Sequence, residues 1–499
     1  MNLADVQLRE LDSLSLSADE RALLRCRASA ELVNNGQYEA ACEALGGLWG
    51  GIGRRPEVKG LGRSVAAEVL LQAGALSGWV GASRQARGSQ AAAKDLISES
   101  ASLFESLGET ERAAAARSEL GLCYWREGAY DEARVLLKNA LDALTETTAR
   151  AKATLRLNIV EFRAGRYSDA LAILKDNAHI FDERVSHTLR GSFHNELALV
   201  LKELGTSEGR PDYFDHAIIE YTAAIYHYEQ ADHKRYRVIN ENNLANLLRK
   251  MGRYQQAHEH LDRAVAVLRR LQDAGMLAQV DETRARVLLD EKRYAEAEAV
   301  IARAVRTLED GGAAALLAEA LTTQGVAWAR LGRNDESINV LRRASRLAEE
   351  AGALCNAGLA ALTLVEEHGA RRALSPDELY DCYRRADLLL EQTQHAESVG
   401  RLRACARIVM RRMVGTQLGD KNFTLFGAVH EIEARHIAQA LDEAGGSVTR
   451  AARLLGIRHQ TFLSMLNTRH RRLLEKRTPP EKRLKSIIKS TKDGRRPPQ

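Results

Sequence analysis

The side chains able to do covalent or metal chemistry are scattered along this sequence in patterns that such chemistry does not use. Six cysteines (Cys26, Cys42, Cys123, Cys355, Cys382, Cys405) fall singly, with no CxxC or other ligand spacing, and read as small core residues of a reducing compartment. His258 and His260, in QAHEHLD, are two residues apart, so a helix turns them to different faces and they read as surface residues. No HExxH, no GxSxG and no GxxxxGK(S/T) phosphate loop occurs, and the glycine-rich GGLWGGIG lacks the lysine that such a loop needs. These features argue against an enzyme and call for no metal and no cofactor. What remains is hydrogen bonding and charge. The stretch INENNLANLLRK concentrates Asn242, Asn243, Asn246, Arg249 and Lys250. An amide both donates and accepts, so a row of them could hold an extended peptide backbone; the plainer alternative is a solvated polar helix face. A second polar set, Ser447, Thr449, Arg450, Arg458, His459, Gln460, Thr461, Ser464, Asn467 and Arg469, leads into the most basic stretch of the chain.

That basic stretch dominates the charge distribution. The net charge is +5, but Arg469 to Gln499 holds twelve Lys/Arg against three Asp/Glu, a local +9, so the preceding 468 residues carry −4. One basic end on a mildly acidic body suggests an appended polyanion-binding segment. At 499 residues, 45% hydrophobic and with seven prolines, the chain has material for more than one helical unit and too few turn residues for a sandwich or barrel. The start, MNLADVQLRELDSLSLS, lacks the basic-then-apolar order of a signal peptide, and no apolar run reads as a membrane span; a cytoplasmic location is expected.

The elements that must position these side chains emerge from self-comparison. A small residue, a glycine seven positions on, then a Tyr, an Ala, an apolar residue and a second Ala recur as Gly121, Gly128, Tyr130, Ala133, Leu137, Ala140. The pattern returns from Asn158 (Gly165, Tyr167, Ala170, Leu174), from Ala245 (Gly252, Tyr254, Ala257, Leu261, Ala264), from Ala285 (Tyr294, Ala297, Ile301, Ala304) and from Gly325 (Gly332, Ser337, Leu341, Ala344). A copy at Ala198, Gly205, Ala217, Tyr221, Ala224 holds an insertion, TSEGRPD, that reads as part of its turn, and an early copy runs Ser29, Gly36, Tyr38, Ala41, Leu45. Small residues let two antiparallel helices approach, and the glycine closes the first in the left-handed conformation. The pattern resembles the tetratricopeptide repeat over roughly residues 20–415, with spacings of 37 to 47 residues against about 34 usual for the family. That resemblance implies a superhelix whose first helices line a concave, peptide- or protein-binding groove, and it places Asn195, Asn242, Asn243, Asn246, Arg249 and Lys250 there. After Ala344 the regular copies fade into one irregular pair and a closing helix, AESVGRLRACARIVMRRMV, with a linker at 415–420.

Beyond the linker the pattern changes. Residues 430–444 read as an amphipathic helix with Ile432, Ile437, Ala440 and Leu441 on one face, stopped by Gly445-Gly446. Ser447 is placed to cap a short helix through Leu455, Gly456 makes a turn, and a third helix runs from about Arg458 to Asn467. Ala451, Ala452, Leu455, Gly456, Ile457, Phe462 and Leu466 supply the small, turn and apolar positions of a helix-turn-helix. GGSVTRAARLLGI and its surroundings, about 45 residues, resemble the Fis-type DNA-binding domain, also found in NtrC-like activators. The resemblance implies that the third helix enters the major groove of double-stranded DNA with Arg458, His459, Gln460, Thr461, Ser464 and Asn467, while Ser447, Thr449 and Arg450 approach phosphates. Arg458 stands where the family prefers a capping Ser or Asn, and Leu463, Ser464 and Met465 replace its basic mid-helix positions. The RHRRLLEKRTPPEKRLKSIIKS segment could compensate.

The expected architecture is all-α: a tetratricopeptide-type array over 20–415, a helix-turn-helix domain over 421–475 and a basic disordered tail over 476–499. The expected function is DNA-binding transcriptional regulation, with the array holding a peptide or protein. The rival reading is a scaffold whose C-terminal helices bind protein. Ile432, Ile437 and Leu441, with Phe423, Leu425 and Phe426, suggest a pairing surface and hence a homodimer on DNA; packing against the array is the alternative.

Overall fold

A computed structural model describes residues 16–34, 37–83, 86, 88–311, 313–371, 373–391, 395–413 and 424–477, and the chain divides into two compact units between Ile408 and Val409. The expected linker at 415–420, Phe423 of the expected pairing surface and the basic segment from 478 onward lie outside the described residues.

The first unit is a run of helix pairs: α1 Ala18–Asn34 with α2 Tyr38–Leu45, α3 Arg63–Ser83 with α4 Ser89–Ser106, α5 Thr110–Arg126 with α6 Tyr130–Ala143, and α7 Thr147–Arg163 with α8 Tyr167–Asp176. It continues with α9 His187–Glu208 and α10 Pro211–Gln230, α11 Lys234–Lys250 and α12 Tyr254–Leu271, and α13 Ala274–Asp290 and α14 Tyr294–Gly311. Then come α15 Ala314–Arg330 with α16 Asn334–Glu350, α17 Leu354–His368 with α18 Pro376–Leu389, and a closing helix α19 Ala396–Met413. First helices of successive pairs touch one another from α1 through α9 and again from α11 through α17, whereas second helices make no comparable contact among the described residues. The array therefore curves with its first helices inward.

The repeated residues do what their types require. Each of Tyr38, Tyr130, Tyr167, Tyr254 and Tyr294 opens a second helix. Gly128, Gly165, Gly252 and Gly332 turn the chain at φ between +73° and +83°, the left-handed region that a Cβ resists. In the copy that begins at Ala285 the same position is Lys292, which adopts φ +64° nonetheless. The small first-helix positions are contact points: a Cβ on Gly121 would stand 2.9 Å from Leu137, and one on Gly325 only 2.5 Å from Leu341.

Two expectations need correction. The TSEGRPD insertion is not a longer turn. Helix α9 continues through Gly205 to Glu208, the left-handed turn falls at Gly209 (φ +65°), and Pro211 starts α10 at a position where its missing N–H costs nothing. Gly205 instead gives room to Phe214, whose ring lies 2.8 Å from where a Cβ would be. Secondly, α3 over Arg63–Ala82 is long and apolar enough to cross a membrane by length and composition. It is 72% buried, however, with Val69, Leu70, Ala73 and Leu76 in the core between α1, α2 and α4.

The second unit contains α20 Leu425–Glu443, α21 Val448–Leu454, α22 His459–Asn467 and a 3-10 turn Arg471–Lys476. Thr424 caps α20, its Oγ1 accepting from Gly427 N at 3.0 Å. Ile437, Ala440, Leu441, Ala444, Ala451, Ala452, Phe462 and Leu466 form its core. Ile437 and Leu441 are thus spent inside the unit, which corrects the view that they were spare surface for pairing; Phe426 remains exposed.

Candidate functional site

The turn between α21 and α22 fixes how the third helix is presented. Gly456 takes φ +65°, its N–H donates to Arg453 O at 3.2 Å, and Ile457 N–H donates to Ala452 O at 3.0 Å, which closes α21 and folds the chain back within four residues. Phe462 and Leu466, both fully buried, then anchor one face of α22. The opposite face must therefore be solvated. It carries His459, Gln460, Thr461, Ser464 and Asn467, all exposed, with Arg458 exposed at the N-cap. Thr449 and Arg450, in the first turn of α21, are exposed as well, and Ser447 is half-buried. Met465 packs on the core and Leu463 is half-buried, so apolar residues replace basic ones there for packing.

Three placements bear on these expectations. Ser447 occupies the N-cap of α21, but its side chain makes no capping bond. Helix α22 begins at His459, with Arg458 as an N-cap that likewise offers no side-chain bond. Arg469 faces Glu433, Nη1 to Oε2 at 3.6 Å.

In the array, Asn242 and Asn246 line a cavity of about 180 Å³ with Gln279, Glu282, Arg286 and Glu319, so side chains of α11, α13 and α15 meet there. The Oδ1 of Asn242 is buried without a partner among the described residues. Three of the other expected groove residues are already engaged. Asn195 donates to Glu196 at 3.1 Å, Arg249 bridges Asn246 (3.0 Å) and Asp290 (2.5 Å), and Lys250 pairs with Glu397 at 2.6 Å. Asn243 is half-buried.

The Lys250–Glu397 pair shows what sequence reasoning missed. Helix α19 lies against the inner layer: His395, just before it, donates to Glu203 on α9 at 3.0 Å, and Arg401 grips Glu366 on α17 through two bonds of 2.8 and 2.7 Å. Its N-terminal half thus touches first helices of three separate pairs. Burial pushes the Glu203 carboxyl up, but the hydrogen bond from His395 and the charge of Lys202 prevail and hold it at about 2. The same bond raises His395 above its ordinary value. Nothing in the local sequence signals contacts separated by 147 and 192 residues.

Other polar clusters were also illegible. Glu196 receives Asn158 and Asn195, yet burial still lifts it to about 7. His258 and His260 are not free surface residues: each is half-buried against a carboxylate, Glu291 at 2.9 Å and Glu241 at 2.5 Å. His187, His194 and His227 meet on α9 and α10, and burial together with the neighbouring His194 holds His227 down at about 4.

Comparison with known proteins fits these two units. The family described as "Bacterial regulatory protein, Fis family" matches residues 428–462, from α20 into α22, and a tetratricopeptide repeat model matches residues 242–271, which cover the second half of α11 and all of α12. No curated protein matches the chain. Similar solved structures include a Rap protein complexed with competence and sporulation factor, 18% identical, covering 74% of this chain and 100% of its own at a TM-score of 0.43. Another is the apo quorum sensor NprR from B. thuringiensis, 13% identical, covering 69% and 97% at 0.48. A third is a signal-transduction ATPase with a tetratricopeptide repeat sensor from Pyrococcus horikoshii, 12% identical, covering 79% and 56% at 0.47. The chain carries a tetratricopeptide repeat within a helical-repeat array and, at its C-terminal end, a Fis-family helix-turn-helix.

Proposed function

We propose that this protein is a cytoplasmic, non-enzymatic transcription regulator whose C-terminal unit reads double-stranded DNA and whose array binds a peptide or protein. The observation that carries this reading is the solvated face of α22. Arg458, His459, Gln460, Thr461, Ser464 and Asn467 are all exposed, and their side chains enter no hydrogen bond or ion pair among the described residues. Such a face is open for donors and acceptors on base edges. Thr449 and Arg450 on α21 would approach phosphates and fix register. The basic segment after Arg469 would add attraction through released counterions, which makes affinity fall steeply with salt.

The array's part in the proposal is a groove whose free capacity lies around Asn242, in the cavity it lines with Asn246, and whose Lys250 is held by α19. A ligand that engaged Lys250 or Glu203 would compete with Glu397 and His395, and α19 is the element through which the chain continues toward the DNA-reading unit. Sensing would then be coupled to DNA binding by the seating of one helix. A recognition helix of nine residues touches few base pairs, so two copies on a site of approximate twofold symmetry, about 34 Å apart, would give it specificity.

The experiment is selection from a random DNA pool by the full-length protein, followed by mobility shift over a range of salt. An enriched motif bound with a strong salt dependence is expected, and a chain lacking residues 476–499 should bind every sequence more weakly with a flatter dependence. Absence of any shift at low salt would favour a scaffold whose C-terminal helices contact protein.

A further inference from the structure

On α20 the sequence H-x-x-E sets His430 and Glu433 three residues apart, hence on one helix face. A third side chain joins them from 37 residues away. His470 follows α22, its N–H donating to Met465 O at 3.0 Å, and its side chain is completely buried. Its Nε2 lies 3.0 Å from Glu433 Oε2, and its ring stacks on that of His430 with centroids 4.3 Å apart and planes 12° from parallel. One ligand atom from each of the three side chains falls within 4.8 Å of the others.

A His–Glu clasp between α20 and the segment after α22 would explain one imidazole. It does not explain two. The Nδ1 atoms of both His430 and His470 are buried and have no hydrogen-bond partner among the described residues. Leaving a buried polar nitrogen unpaired costs roughly 1–3 kcal/mol, and here two such atoms sit in one cluster beside a carboxylate. A cation bound through Nδ1 of His430, together with Glu433 and Nε2 of His470, removes that cost at His430. Zinc takes imidazole nitrogen and carboxylate oxygen at about 2.0–2.2 Å, so tetrahedral ligand atoms stand roughly 3.4 Å apart. The Glu433–His470 separation is already slightly shorter than that, and the ligand atom of His430, within 4.8 Å of both, would have to move inward. Two neutral imidazoles and one carboxylate suit zinc, cobalt, nickel or copper better than the oxygen-seeking calcium or magnesium.

We propose that His430, Glu433 and His470 form a binding site for one divalent transition-metal ion of the zinc class, fastening α20 to the segment that follows the recognition helix. The ion would take the carboxylate that Arg469 now faces at 3.6 Å. On the DNA-binding reading above, this frees an exposed guanidinium beside α22 for a phosphate, and the metal becomes a regulator of affinity.

The test uses metal-stripped full-length protein titrated with cobalt(II), read by its visible absorption, and then with zinc in competition. One equivalent is expected to disappear in His430→Gln and in His470→Ala, and Glu433→Gln should weaken binding by tenfold or more. Because His470 is buried, its variant could lose the unit's fold; His430→Gln and Glu433→Gln, at half-buried positions, carry the test, with circular dichroism as the folding check. Zinc should also raise the melting temperature of the wild type and leave that of His430→Gln unchanged. Equal stoichiometry and affinity in wild type, His430→Gln and Glu433→Gln would overturn the site, as would a wild type that takes up no cobalt. This readout involves no DNA, so a failure to bind DNA would sink the functional reading and leave the metal site standing.

Discussion

At the scale of single residues the two candidate surfaces behave differently. The α22 face is a set of exposed side chains, so on the DNA-reading proposal substitutions there should alter preference and leave stability alone. Gln460→Ala and His459→Ala are expected to change the motif enriched from random DNA, each by about 1–3 kcal/mol at one base pair, with an unchanged melting temperature. The same selected motif in both variants would show that another surface reads the sequence. This face was legible because the fixed offsets of Ala451, Gly456, Phe462 and Leu466 determine which residues are left outside. Buried polar residues were not legible, since their partners come from other elements. Glu196 is the clearest case: partly enclosed beside Asn158 and Asn195, it is lifted by burial to about 7. A carboxyl raised in the folded state binds its proton more tightly there than in the unfolded chain. Its contribution is therefore full below about 4.5 and is lost as pH rises through 7. Glu196→Gln should remove this slope and stabilise the array by about 1–3 kcal/mol at pH 8 relative to wild type. Parallel unfolding curves for the two proteins between pH 5 and 8 would refute it.

At the scale of elements, the repeat gave away its helix starts because each rests on a local device. A Tyr opens the second helix, a left-handed glycine closes the first, and a small residue marks the crossing. Where a device moved, the reading failed. Gly205 has the right spacing for a turn, yet it serves the packing of Phe214, and the left-handed role passes to Gly209 four residues later. Spacing cannot distinguish a glycine needed for φ from one needed for space; the insertion of residues that continue a helix conceals the difference. Lys292 tests the same point in reverse. It holds φ +64° without being glycine, a conformation that costs an L-residue about 1–2 kcal/mol, and it is exposed. After allowing for the greater freedom of glycine in the unfolded chain, Lys292→Gly should stabilise the array by roughly 0.5–1 kcal/mol. Gly325→Ala should do the opposite by about 1–3 kcal/mol, because its Cβ would enter Leu341. Chemical denaturation of both variants checks the pair of signs, and a stabilising Gly325→Ala would contradict the close-approach account.

At the scale of the whole molecule, the array's inner face belongs partly to the chain itself. The sequence correctly indicates a closing helix after the last pair, and its register is nearly as expected. Where it lies was not readable, because its attachments, His395 to Glu203 and Glu397 to Lys250, join segments far apart in the chain. These attachments are charged, which makes the seating of α19 dependent on pH. The hydrogen bond with Glu203 raises His395 above the ordinary value of 6.5, so its contribution is complete below about 6.5 and is lost as pH rises through the raised value. Glu203 is lowered to about 2, so its contribution is complete above about 4.5 and is lost only as pH falls toward 2. Glu397, which Lys250 keeps low in spite of burial, adds no change in the neutral range. The attachment is thus fully formed between about pH 4.5 and 6.5 and weakens on the alkaline side through His395 alone. Amide exchange at residues 395–401, corrected for its intrinsic pH dependence, should quicken as pH is taken from 6 to 9, while exchange in the buried parts of α9 and α11 stays slow. His395→Ala should show the quick rate throughout, and Glu397→Ala should quicken exchange equally at every pH. A wild-type segment whose corrected exchange is flat from pH 6 to 9 would mean that His395 adds nothing to the seating, which then rests on Glu397 with Lys250 and on Arg401, bound twice by Glu366 on α17. A groove ligand would then have to break those contacts to reach α19.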